Sequence, residues 1–158
     1  MSVTGISHIT LLTKDMNATI RFYTQILGVP LVRAGRDAED PTSRLYYFKL
    51  GENNLIAFQD YPGYFSGSPR LRGGMLHLSI QIESFEKLME ARENLLENQV
   101  KCSEILSESF YNFVSFHDNN GFRVNYVYHN RELDDLDLFA DTEPSKEVNN
   151  YLENRLNK

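Results

Sequence analysis

Two histidines hold matching positions in two similar stretches of this chain. His8 lies in a run of β-branched and aliphatic residues near the N-terminus, and His77 lies in a second run of the same kind. Successive side chains on a strand face opposite sides, so His77 shares a face with Ser79 and Gln81, whereas the other face is apolar. A partly polar face with a histidine indicates a wet cavity rather than an apolar core or a charged surface.

Neutral imidazoles that meet in a cleft are the beginning of a metal site. Two histidines with one carboxylate form the open-sided triad of non-haem iron and related centres. If the two stretches are copies of one structural unit, a pseudo-twofold arrangement would bring His8 and His77 together. The alternative is that each is a satisfied, partly buried side chain. His117 beside a turn and His129 at a strand end lack such a match, so we expect surface or structural roles for them.

The order strand, helix, strand, strand, strand occurs twice along the chain. This order predicts an α+β fold of two βαβββ modules that form a shared cleft, with a C-terminal extension. Asp15 and Ser84 are the expected helix caps, and Gly28 ends the first helix. The predicted strands are 5–13, 29–33, 44–50, 54–59, 75–82, 100–106, 110–117 and 122–128. The predicted segments are a first module 5–60, a linker 61–74, a second module 75–129 and an acidic tail 130–158 with a helix.

The composition is that of a globular protein without a nucleic-acid or membrane partner. Of 158 residues 41% are hydrophobic and 24% charged, and the net charge of −6 leaves no basic footprint for nucleic acid. The roughly 20 consecutive apolar residues of a membrane span are absent. Residues 1–6 do not read as a signal peptide, and one cysteine, Cys102, cannot form an internal disulfide. We therefore expect a cytoplasmic protein.

Four motifs of the chain belong together: the first strand 5–12 with His8, the helix with Phe22-Tyr23 and Leu27-Gly28, the second histidine His77, and the turn 118–121. They resemble those of the vicinal oxygen chelate superfamily, which includes glyoxalase I, bleomycin-resistance proteins, fosfomycin-resistance enzymes and extradiol dioxygenases. The resemblance implies paired βαβββ modules, a small-molecule ligand or substrate, a divalent metal (Zn, Mn, Ni or Fe) and a homodimer. A stripe of apolar residues in the tail would suit a helix packed on the domain or, alternatively, a dimer contact or a lid.

The expected metal ligands depart from the family pattern. Family enzymes carry a glutamate on the last strand, four residues after the turn glycine, and this chain has Asn125 there. The matching position of the first module holds Ala57, and Gln59 on the same face is a further neutral oxygen donor. The implied ligands are therefore His8, His77, Asn125 and, more weakly, Gln59. Amide oxygens neutralise none of a metal's charge, so metal affinity should be low.

Three functions fit these residues. The first is a metal-dependent enzyme of the superfamily (a dioxygenase, lyase or thiol transferase) with a degenerate metal site. The alternative is a metal-free protein that binds a small molecule for sequestration or resistance. The third is a structural or regulatory module in which the two histidines have no present role. Glyoxalase I activity is not expected, because neither Asn125 nor Ala57 supplies a carboxylate base. No catalytic residue or substrate is assigned, and the modules are left free to pair within one chain or between two chains.

Overall fold

The chain forms two four-stranded sheets of the same topology. A computed structural model describes residues 6–36, 40–60, 75–108 and 111–130. In each sheet the first strand is parallel to the last, and the other neighbours are antiparallel. This repetition confirms the α+β fold of two βαβββ modules. The first sheet, in the order β1-β4-β3-β2, has β1 His8–Leu12, β2 Leu31–Arg36, β3 Arg44–Lys49 and β4 Leu55–Asp60. The second, in the order β5-β8-β7-β6, has β5 Leu78–Gln81, β6 Leu106–Ser107, β7 Tyr111–His117 and β8 Arg123–His129.

Both main helices begin at the expected caps. The Asp15 side chain accepts a hydrogen bond from the Ala18 amide at 3.0 Å at the start of α1, Met16–Arg21, which continues as a π-helical segment Phe22–Ile26. The Ser84 hydroxyl accepts from the Lys87 amide at 3.2 Å at the start of α2, Phe85–Glu97. Over the described ranges, no helix combines the length and apolar character needed to cross a membrane. The predicted linker 61–74 and the tail beyond Asn130 lie outside the described residues.

One apolar core contains residues of both sheets and of the helices. The Tyr23 ring packs against Phe58 of β4 and Phe48 of β3, with ring centroids 4.7 and 5.5 Å away. Its neighbour Phe22 approaches Phe116 of β7 in the other sheet, at 6.5 Å. The first helix therefore contacts the apolar faces of both sheets. The same core contains α2 through Leu88 and Leu95, together with Ile56, Leu78, Val114, Val124 and Tyr126.

A buried hydrogen bond joins the two modules within this core. The Tyr23 hydroxyl donates to Oδ2 of Asp118 at 3.1 Å, and Oδ1 of Asp118 accepts from the amides of Asn120 and Phe122 at 2.8 Å each. Burial raises the pKa of Tyr23, and the Asp118 carboxylate raises it further. The Asp118 turn leads directly into β8. Helix α1 thus stabilises the start of the last strand of the other module.

Some predicted strand boundaries are wrong. The strand expected at 29–33 starts at Leu31 and extends to Arg36, because the Val29 amide still donates to the carbonyl of Tyr23 at 2.8 Å and closes the helix. The strand expected at 100–106 is reduced to β6 and one bridge between Cys102 and Phe116. There the hydroxyl of Ser103 accepts from the Ser115 amide at 3.0 Å and replaces a bond of the strand ladder.

Strand β5 is shorter than predicted at its N-terminal end. It starts at Leu78 instead of Met75, so Leu76 of the predicted apolar strand face is 76% exposed. Helix α2 buries Leu88 and Leu95, whereas Leu96 is exposed.

Candidate small-molecule site on the outer sheet faces

Each sheet has one face on the shared core and one face turned away from it, here called the outer face. Ile9 and Leu11 of β1 pack against the core, so His8 and Thr10 lie on the outer face of the first sheet. Val124 and Tyr126 of β8 are core residues, so Asn125 lies on the outer face of the second sheet. The predicted site residues therefore all belong to the outer faces or lie directly beside them.

Asn125 lies in the middle of the second outer face. It pairs with Ser79 of β5 on one side and with Ser115 of β7 on the other. Its side chain is only 4% exposed, yet the carboxamide Oδ1 has no hydrogen-bond partner. The ladder pairs Leu78 with Val124, so His77, directly before β5, lies beside the start of β8. The buried Nδ1 of His77 also has no partner.

These two unpaired atoms are unusual in a folded protein. Buried polar atoms almost always have a partner, and an unsatisfied one costs about 1–3 kcal/mol. Oδ1 of Asn125 can only accept a hydrogen bond, and Nδ1 of His77 accepts when the imidazole proton is on Nε2. Both atoms would therefore be satisfied by a donor group of another molecule.

A fixed cation lies beside these acceptors. Nε of Arg123 donates to Oγ of Ser115 at 2.9 Å, which holds the guanidinium on the outer face two residues before Asn125. Phe113 and Val127, the next pair of the ladder, are buried and form an apolar floor beside Asn125. The second outer face thus combines acceptors, one cation and an apolar surface.

The first outer face has a different arrangement. The Tyr47 ring lies between His8 and Arg33. The His8 ring packs edge-to-face on it, with the two ring centroids 5.6 Å apart, and the guanidinium carbon of Arg33 lies 5.8 Å from the Tyr47 centroid. His8 is exposed, and its Nδ1 lies 3.3 Å from the Ser7 hydroxyl. Nε2 of Gln59 donates to the Ser43 hydroxyl at 2.8 Å, so that amide is engaged in the protein. Ala57 contributes no polar atom.

The structure separates the four predicted ligands into two groups. His77 and Asn125 belong to the second sheet, whereas His8 and Gln59 belong to the first. His8 and Asn125 lie on sheet faces turned away from the core. That His8 and His77 meet in one cleft stays a prediction. In the part of the chain that the structure describes, no three His, Cys, Asp or Glu side chains form a group suited to a metal ion.

Three further residues of the outer faces were not predicted from the sequence. Arg123, Tyr47 and Arg33 were not singled out because isolated arginines and tyrosines carry no spacing signal. For Arg123 a signal existed, since it lies two residues before Asn125 and therefore on the same strand face. His117 and His129, expected to be surface or structural residues, also lie on the second outer face.

A cavity of about 570 Å³ lies elsewhere, between the end of the first helical segment and α2. Its lining includes Gly28, Leu50, Ile82 and Lys87. The ammonium group of Lys87 is already paired with Glu90. The unpaired acceptors of His77 and Asn125 are not part of this lining, so we place the candidate site on the outer face instead.

The chain belongs to the Glyoxalase/Bleomycin resistance protein/Dioxygenase superfamily, whose profile matches residues 5–126. It is 26% identical over 130 residues to the putative ring-cleaving dioxygenase MhqA of Bacillus subtilis (strain 168), covering 78% of this chain and 40% of MhqA. It is also 26% identical over 148 residues to an iron-dependent extradiol dioxygenase of Rhodococcus jostii (strain RHA1), covering 86% of this chain and 47% of that enzyme. The chain thus spans less than half the length of these curated relatives.

Solved structures show the same fold. A glyoxylase/bleomycin resistance protein/dioxygenase domain from Frankia sp. EAN1pec superposes with a TM-score of 0.69 at 23% identity, covering 81% of this chain and 99% of that domain. At this level of identity the likeness concerns the fold. The reaction must be argued from the side chains of the site itself.

Proposed function

We propose that this protein binds a small molecule on the outer face of its second sheet, with His77 and Asn125 as polar anchors. The observation that supports the proposal is the pair of buried acceptors, Nδ1 of His77 and Oδ1 of Asn125, that have no partner. A ligand hydroxyl or N–H group would supply the missing donors. Because the unpaired state is costly for the free protein, binding would recover about 1–3 kcal/mol at each satisfied atom.

We propose that two copies of the chain line the cleft, with the first sheet of one copy facing the second sheet of the other. A twofold axis would create two equivalent clefts, each with His8 from one copy and with His77 and Asn125 from the other. We therefore propose a homodimer, in a reducing cytoplasmic location that the single cysteine Cys102 favours.

The proposal can be tested before the ligand is known. If Asn125 serves binding at the expense of stability, Asn125→Leu should raise the free energy of unfolding of the free protein by about 1 kcal/mol or more. The reason is that an apolar group replaces a buried amide with an unsatisfied oxygen. The matched control is Asn112→Leu on β7. The Asn112 side chain is already bonded to Ser107 and Asn130, so this change should stabilise nothing. The measurement is urea unfolding of the wild type and both variants.

A binding role and a structural role of Asn125 predict changes in stability of opposite sign. A gain in stability for Asn125→Leu without a gain for Asn112→Leu supports a binding role for Asn125. A loss of stability for Asn125→Leu comparable to other buried polar substitutions would mean that Asn125 is a structural residue, and the proposal would then be wrong.

A second candidate is metal-dependent chemistry of the ring-cleaving type, which the descriptions of the two curated relatives favour. The residues present fit such a metal poorly. His77 and Asn125 are neutral donors, Ala57 is not a ligand, and Arg123 places a positive charge beside the site. An ion with a double positive charge would lack a counter-charge there. For this reason we assign no catalytic residue, and glyoxalase I activity is not proposed.

Calorimetry with zinc, manganese and nickel decides between the two candidates. We expect the wild type to bind these metals weakly or undetectably, and His77→Ala to bind none. Asn125→Glu should bind more tightly, by about tenfold or more, because a carboxylate adds one favourable charge contact. Strong binding by the wild type would favour the metal-dependent enzyme. If Asn125→Glu gains nothing, His77 and position 125 do not form a metal site.

A further inference from the structure

We infer that the ligand of the proposed site is a hydroxylated organic anion, with its acid group on Arg123 and its hydroxyl on Asn125. The inference rests on the proposed function and adds the chemical class of the ligand. It starts from charge. The chain carries 22 acidic and 16 basic residues, yet the charges on the outer faces have the opposite balance.

The strands are nearly free of acidic side chains. Asp60 is the only Asp or Glu in the eight described strands, and it pairs with Arg44 on the core side of the first sheet. The outer faces carry Arg33 and Lys49 on the first sheet and Arg123 on the second. Among the described residues, none of these three cations forms an ion pair. The described strands therefore place cations and no carboxylate on the outer faces of a protein that is acidic as a whole.

This segregation of charge points to an anionic ligand. Unpaired cations that share a face with no carboxylate raise the local concentration of anions and repel metal ions. Arg123 is the best placed, because its bond to Ser115 orients the guanidinium before any ligand arrives. A guanidinium presents several N–H donors in a planar fork that matches a carboxylate or a phosphate.

The neighbours of Arg123 define the rest of the ligand. The unpaired Oδ1 of Asn125, on the same strand face, requires a donor, which an acid group in its ionised form cannot supply. The ligand therefore needs a hydroxyl or N–H group in addition to its charge. The buried pair Phe113 and Val127, one row further along the ladder, makes the surroundings of Asn125 apolar on the side away from Arg123, which favours a ring or a short carbon chain there.

The test uses three probes of similar size and the full chain. These are 3-hydroxybenzoate, which has both the charge and the donor, benzoate, which lacks the donor, and 3-hydroxybenzyl alcohol, which lacks the charge. We expect calorimetry at low ionic strength to rank 3-hydroxybenzoate first. Arg123→Gln should weaken binding of 3-hydroxybenzoate about tenfold, since one charge contact is lost, and should change binding of the alcohol little. Added salt should weaken binding of the acid more than that of the alcohol.

Arg36→Gln is the matched control, because it removes the same charge from the core-side face of β2, where the guanidinium is bonded to the Pro41 carbonyl. The inference is overturned if the alcohol binds as tightly as the acid, if none of the probes binds, or if Arg36→Gln weakens the acid as much as Arg123→Gln does. If the alcohol binds in a manner that Asn125→Leu abolishes while charge has no effect, the proposed site stands and only the anionic class is wrong.

Discussion

The bond between Tyr23 and Asp118 allows a quantitative prediction, because it is the buried link between the two modules. Tyr23→Phe removes the hydroxyl that donates to Asp118 at 3.1 Å and keeps the ring that packs against Phe48 and Phe58. Hydrogen bonds to a charged group contribute about 1.5–3 kcal/mol. The Asp118 carboxylate keeps two backbone donors, so we expect a loss near the middle of this range, about 2 kcal/mol. For a chain of this length, that corresponds to a Tm lower by roughly 4–8 °C.

Tyr126→Phe is the matched control. Tyr126 is also a buried tyrosine, and burial alone raises its pKa, without a carboxylate contribution. Removing its hydroxyl should therefore cost less at neutral pH than the same change at Tyr23, about 1 kcal/mol or below. The difference between the two variants isolates the contribution of Asp118.

The pH dependence of stability gives a second readout. Burial raises the folded-state pKa of both Tyr23 and Tyr126, so the folded protein keeps two protons that the unfolded chain releases above about pH 10. Their contribution to stability is complete below that pH and is lost as the pH rises above it. Each group adds a slope of about 1.4 kcal/mol per pH unit. Each Phe variant should therefore lose the slope of one group above pH 10.

Urea unfolding between neutral and strongly alkaline pH measures both effects. Equal stabilities of the two variants at neutral pH would contradict the contribution assigned to Asp118. An alkaline slope that neither substitution reduces would mean that these tyrosines do not control the loss of stability above pH 10. Both outcomes can be read without knowledge of the ligand.

Two further predictions concern the backbone and the assembly. Gly28 has a φ of +68°, which other residues adopt with strain, so Gly28→Ala should lower the free energy of unfolding by about 1 kcal/mol. Gly35→Ala on β2 is the control, because Gly35 has no positive φ and an added Cβ would meet no atom within 4 Å. This variant should unfold with nearly the same free energy as the wild type. For the assembly, light scattering of the full chain should report a dimer of 18.3 kDa subunits. A chain that stays monomeric at high concentration would contradict the two-copy cleft.

The local elements could be predicted from the sequence because their causes are local. Asp15 and Ser84 cap helices through side-chain bonds to amides three residues away, and Gly28 adopts the positive φ that ends the first helix. The alternating pattern predicted His77 as a site residue. The match with the family's last strand predicted Asn125 from its position alone. Both residues have the unpaired buried atoms that mark the candidate site. The strand expected at 100–106 did not form in full, because the Ser103 hydroxyl accepts from the Ser115 amide in place of a backbone carbonyl. The periodicity of the sequence does not reveal such a bond.

The packing of one module on the other was decided only by tertiary structure. The sequence places His8 and His77 at matching positions, but it contains no local signal for how one module packs on the other. That packing depends on contacts between distant residues, such as Phe22 with Phe116 and Tyr23 with Asp118. These contacts place both apolar sheet faces on one core and turn both outer faces away from it. Strand register, which no sequence spacing reveals, makes Arg123 and Asn125 neighbours of Ser115, because it sets which side chains meet across a sheet.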